Sequence, residues 1–168
     1  MEGAPLRAYK FTRPGAVGRF SGFAWPRPNG AGPGAWVEAA PSTCATGIHA
    51  CAAVDLPYWI DAELWEIELG GAIERAATKL VAERGRLVRR IDGWDEHAGA
   101  FAAACRERVE LRARANAALA PYVGDAPATR PALSAFVAAR VAELDAGPAA
   151  YRAEREWQAL WLVERLAL

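Results

Sequence analysis

The stretch Leu64-Trp65-Glu66-Ile67-Glu68-Leu69-Gly70 alternates apolar and acidic side chains, the period-two mark of a β-strand with one face buried. Trp65 or Leu64 with its partners supplies the core face, and Glu66 and Glu68 supply the other. Towards the start of the chain, Leu6 to Thr12 reads as a strand stopped by the turn Arg13-Pro14-Gly15. Phe20 to Trp25, Trp36 to Ala39 and Gly47 to Ala52 read as further short strands. Between them lies Pro26-Arg-Pro-Asn-Gly-Ala-Gly-Pro-Gly34, which lacks the donors and the backbone freedom for regular pairing and reads as a surface loop. Asp55 to Asp61 reads as a helical turn. Beyond Gly70, Thr78 to Ala82 and Arg86 to Ile91 read as a hairpin around Glu83-Arg84-Gly85, whose glycine suits the left-handed position of a short loop.

Composition changes near Trp94, after which Ala, Arg, Glu and Leu dominate at helical spacing. Asp95 reads as the N-cap of a helix over residues 96–119, ended by Pro121. A second helix starts at Pro131 and reaches about Asp145. Gly147-Pro148 breaks it, and a third runs from about Ala149 to the end with a wide apolar stripe of Tyr151, Trp157, Leu160, Trp161, Leu162, Val163 and Leu166. The reading is an α+β chain: a compact mixed or antiparallel sheet over residues 1–93, with three helices over residues 94–168 packed on it as one domain or as a helical appendage. The stripe of the last helix is either sandwiched in that packing or a homodimer surface.

At 168 residues the chain can bury a substantial core. Its 20 acidic and 20 basic side chains balance, so no net field draws it to nucleic acid or to an anionic membrane. Eighteen of the cations are Arg, read first as coding bias, though it supplies side chains suited to bidentate oxyanion contacts. The opening residues carry neither a basic nor an apolar signal region, and no apolar run approaches the roughly 18 residues a membrane helix needs. The expectation is a soluble cytoplasmic protein. Three cysteines are an odd number, which favours reduced thiols over a disulfide framework and leaves a Cys44–Cys51 bond unrequired.

The chemistry-bearing residues cluster in Cys44-Ala-Thr-Gly-Ile-His-Ala-Cys51, Tyr58-Trp59 and the strand that follows. Zinc would want four ligands from Cys44, His49, Cys51 and the distant His97 and Cys105, but the short Cys-x2-Cys spacing is missing, so no metal site is assigned. Cys51 and Cys105 read as small apolar packing groups. A His49–Cys51 dyad would need a thiolate beside a cation, with a third group to orient it.

Thr46-Gly47-Ile48-His49-Ala50-Cys51, Tyr58-Trp59 and Leu64 to Gly70 together resemble the central part of the ADP-ribosyltransferase-like fold, over about 25 residues. The chain is also similar to small uncharacterised bacterial and phage proteins with a Cys-x-x-Gly-x-His-x-Cys stretch. The first resemblance implies NAD as a cofactor or substrate, with Tyr58 and Trp59 stacking on nicotinamide at the strand opened by Gly47. It further implies His49 on ribose or phosphate, Lys10 or Arg13 neutralising phosphate, and Glu66 or Glu68 stabilising an oxocarbenium-like state. The chain departs from that pattern in two places. Lys10 or Arg13 stands where a first-strand His or Arg is usual, and the late segment offers only Glu83, in an expected turn. The expected function is binding of a nucleotide-like ligand, with ADP-ribosyltransferase-like activity as the chemistry the resemblance would add. The alternative is a non-enzymatic protein-binding or assembly module that uses a Trp-rich surface and the C-terminal helix.

Overall fold

A computed structural model describes residues 4–40 and 47–168. The chain forms two compact units, Met1–Asp92 and Gly93–Leu168. The first carries a five-stranded antiparallel sheet and the second carries helices, which is the α+β class.

In the first unit the strands are β1 (Leu6–Thr12), β2 (Val37–Glu38), β3 (Ile48–Ala50), β4 (Glu63–Arg75) and β5 (Leu80–Arg90), with a 3-10 turn at Ala53–Tyr58. β1 pairs with β4, β4 with β5, and the second side of β5 takes β2 and then β3. Directly after β3, Cys51 exchanges both backbone hydrogen bonds with Tyr9 of β1, at 2.9 and 2.8 Å. The hydrogen-bonding path therefore returns to its first strand, and the sheet curls into a small barrel.

So tight a closure needs bends, and two register shifts between β4 and β5 supply them. Val88 is left unmatched between the pairs Glu66–Arg89 and Ile67–Leu87, and Gly71-Ala72 face the single residue Glu83. Gly71 takes a φ of +74°, a region that favours glycine, and the Glu83 carboxylate accepts from the Ala72 N–H at 2.9 Å. At Gly85 a Cβ would lie 2.6 Å from the Ile48 side chain, so the missing side chain is what lets β3 lie against β5.

The Trp65 phase of β4 faces the apolar cluster, and the opposite phase is buried as well at Leu64 and Glu66, where a single buried face was expected. Trp65, Ile67 and Leu69 join Ala8, Trp25, Ile48, Ala50, Leu80, Ala82 and Leu87 in one apolar cluster. Three expectations need correction here. Glu83-Arg84-Gly85 is not a turn: β5 runs straight through it, and the chain reverses at Ala76–Lys79, where Ala76 N–H donates to Lys79 O at 2.9 Å. Phe20 to Trp25 is not a strand. It belongs to a loop folded on itself by Gly18 N–H donating to Phe23 O at 2.8 Å, with Trp25 dipping into the core. Glu66 is not on a solvated face: it is only 4% exposed, paired with Arg7 at 2.8 Å and Arg89 at 2.7 Å.

In the second unit the helices are α1 (Gly93–Ala115), α2 (Pro131–Ala146) and α3 (Pro148–Leu166), with a 3-10 turn at Ala117–Val123. α1 begins two residues before Asp95, which sits in its first turn rather than capping it and still complements the helix dipole. The helix also ends before the expected residue 119, because Asn116 leaves the helical conformation and caps the 3-10 turn that contains Pro121. The apolar interior is built from Phe101, Cys105, Val109, Ala138 and Leu162. A polar seam crosses it: Arg108 donates to buried Glu154 at 2.7 Å, and Gln158 donates to Ala135 O at 2.9 Å.

Candidate functional site

Curling the sheet brings β1, β3, the loop after β1 and the hairpin end of β5 around one cavity of about 600 Å³. That volume falls within the range of small-molecule sites. Among the sequence-predicted residues, Lys10, Gly47, His49 and Trp59 line it. Arg13, Tyr58, Glu66 and Glu68 are not among its lining residues.

Each of these outcomes follows from where the residue's own element places it. β1 places Ala8 in the core cluster, and Lys10, two residues on, shares that phase at the cavity. The Lys10 ammonium donates to the His49 carbonyl at 2.6 Å and lies 5.1 Å from the centre of the Trp25 ring. Burial pushes its pKa down to about 8, only partly offset by the neighbouring Cys51. His49 sits between Ile48 and Ala50, which both belong to the apolar cluster, and remains half-buried. Trp59 is held at the end of the 3-10 turn by its indole N–H, which donates to Thr78 O at 2.6 Å. That bond ties one cavity wall to the hairpin carrying Lys79.

The two β4 carboxylates marked out in the sequence, Glu66 and Glu68, are already engaged. Glu66 lies between Arg7 and Arg89, and Glu68 accepts from Arg86 at 2.8 Å. Arg13 instead forms the bridge with Val17 that closes the first turn, and its side chain is exposed. That turn is fixed by Glu63, whose carboxylate accepts the Gly15 and Ala16 N–H groups at 2.9 Å each; despite partial burial, these bonds hold its pKa below the usual carboxylate range.

Cysteine chemistry is disfavoured by the same surroundings. Cys51 is 2% exposed, and burial with nearby Asp55 pushes its thiol up to about 12, so it is not a ready thiolate. Cys44 lies outside the described residues. Among those described, no group of three or more His, Cys, Asp or Glu side chains could hold a metal ion, and no helix is long and apolar enough to cross a membrane.

Several lining residues were not singled out from the sequence: Arg19, Phe20, Phe23, Trp25, Glu38 and Lys79. Phe20 is 82% exposed at the cavity, with the Arg19 guanidinium 5.5 Å from its ring centre. One signal was available. The chain has 18 Arg and only two Lys, and both lysines, Lys10 and Lys79, line this cavity.

The tryptophans do not form an exposed surface. All seven are buried or half-buried; Trp157 stacks under Arg108 at 4.0 Å, and Trp161 packs on Phe101 with ring centres 5.2 Å apart. Much of the apolar stripe of α3 is thus used within the helical unit. Compared with protein-family models, with curated proteins and with solved structures, the chain matches none.

Proposed function

We propose that the first unit binds a small, planar, anionic ligand of the nucleotide type in the cavity of β1 and β3. The observation that carries this reading is the lining itself. Lys10, Arg19 and Lys79 line it with one carboxylate, Glu38, and Arg19 also pairs with Asp61 at 3.6 Å; Trp25, Trp59, Phe20 and Phe23 supply aromatic surface and His49 a further polar group. Cations close to stacking surfaces favour a ligand with both a flat ring and negative charge.

Titration of the full chain with AMP, ADP-ribose, NAD and uncharged adenosine, followed by calorimetry and tryptophan fluorescence, tests the reading. The expected result is saturable binding of the anionic compounds, at least about tenfold tighter than adenosine. Equal affinity for adenosine, or no binding of any anionic nucleotide, overturns it. NAD is included because of the resemblance noted in the sequence. Nicotinamide release in the same mixtures reads whether ADP-ribosyl transfer accompanies binding, chemistry for which Glu38 would be the available carboxylate.

A further inference from the structure

We propose that Lys10 is a reactive amine that forms an imine with a carbonyl-bearing ligand in this cavity. The inference deepens the anionic-ligand reading and rests on it for the class of compound, a small anionic aldehyde or ketone.

The first support is where the chain keeps lysine. Arg holds 18 of its 20 basic positions, and the two exceptions line one cavity. Arg stays protonated throughout the useful pH range, whereas a desolvated Lys can release its proton and become a nucleophile. A site that needed only positive charge would be served by Arg.

The second support is the geometry at Nζ. Its hydrogen-bond partner is a main-chain carbonyl, His49 O at 2.6 Å, and its flat neighbour is the Trp25 ring. Neither carries a negative charge that would hold the ammonium in its protonated form. The charged and titratable groups around it are Cys51, whose thiol is pushed up to about 12, and the other cavity-lining groups Tyr9, His49, Glu38, Arg19 and Lys79. Burial brings the Lys10 pKa to about 8, which leaves a usable fraction of free amine near neutrality.

The step balances without any oxidant or reductant. Lys10 loses its ammonium proton to solvent, and the nitrogen lone pair attacks the carbonyl carbon to form a C–N bond. The carbonyl oxygen then departs as water with the two hydrogens of the neutral amine, leaving a C=N bond. Lys79 and Arg19 would hold the anionic group of the same ligand.

The experiment uses pyridoxal 5′-phosphate, a flat anionic aldehyde, on the full chain, with borohydride to fix any imine and peptide mapping to locate it. The expected result is near-stoichiometric label on Lys10, formed about tenfold or more faster than on N-acetyl-lysine at neutral pH. Its rate should rise with pH and level off above about 8, as Lys10 loses its proton. AMP should slow it in proportion to its occupancy. Label confined to Lys79 or to another amine, or Lys10 labelling no faster than the free amino acid, overturns the proposal; because the mapping uses the native sequence, it needs no variant to fold. If AMP binds saturably and Lys10 stays unlabelled, the imine inference fails while the anionic-ligand reading stands. If Lys10 labels rapidly and no nucleotide binds or competes, the reactive amine is supported and the nucleotide reading fails.

Discussion

The Lys10 ammonium is bound by the carbonyl oxygen of His49, at 2.6 Å, rather than by its ring. Two residues marked out by sequence thus meet through main chain, which separates their roles. His49→Ala keeps the carbonyl and removes the imidazole from the cavity wall. It should weaken AMP binding by about tenfold while shifting the unfolding free energy by under about 1 kcal/mol. Calorimetric titration and urea unfolding on the same sample check it. A large stability loss with unchanged affinity would make His49 a packing residue.

Lys10 should make stability depend on pH with a defined sign. Its folded pKa, about 8, lies below the ordinary lysine value of about 10.4. The unfolded chain therefore binds more protons between those limits, and stability rises with pH across that window; below about 8 the whole penalty is present. Lys10→Met should be the more stable protein at pH 7 by roughly 1–3 kcal/mol, with the difference shrinking towards pH 10. Comparing the two proteins at each pH cancels Cys105, whose raised pKa of about 12 acts in the opposite direction; Cys51, also raised to about 12, neighbours Lys10 and bears on the comparison only above the ordinary thiol value of 9.0. A difference independent of pH in urea unfolding would show that Lys10 carries no such penalty.

Cys51 should be inert in the folded chain. Its sulfur is enclosed and its thiol pushed up to about 12, so iodoacetamide at pH 7.5–8 (an assay condition, roughly one pH unit below the free thiol value) should modify it only through unfolding. Rates that track denaturant concentration are expected by mass spectrometry. Native labelling as fast as free cysteine would return Cys51 to the list of nucleophiles.

The two buried glutamates should differ in cost. Glu66 faces Arg7 and Arg89, whose side chains are 71% and 57% exposed and can rehydrate; Glu66→Gln should cost about 1 kcal/mol and leave AMP affinity unchanged. Glu154 is fully enclosed with Arg108 and Arg112, which are only 32% and 26% exposed. Glu154→Ala should cost about 2–4 kcal/mol. Denaturant unfolding of the two variants checks the order, and a reversal would mean that exposure of the arginines does not govern the penalty.

Much of the strand and helix content was legible because local periodicity reports which face is buried. Trp65, Ile67 and Leu69 announced β4, and Pro131, Gly147 and Pro148 marked the limits of α2 and the start of α3. The hairpin was misplaced for a physical reason. A glycine needed for close packing against Ile48 looks, in sequence, like one needed for a left-handed turn. Glu66 was misjudged similarly, since an acidic side chain on a strand reads as solvated until its arginines, 59 residues before and 23 after it in the chain, are brought beside it.

By itself the sequence determined the α+β order, the alternation of β4 and the break near Trp94, and it singled out Lys10, Gly47, His49 and Trp59, which the fold then places on one cavity wall. The order and the alternation follow from interactions between near neighbours. Only the tertiary structure decided that Tyr9 closes the sheet on Cys51, that Glu66 and Glu68 are committed to arginines, and that the two lysines meet at one cavity. Ring closure and charge pairing depend on how strands far apart in the chain are registered, and residue order alone leaves that register open.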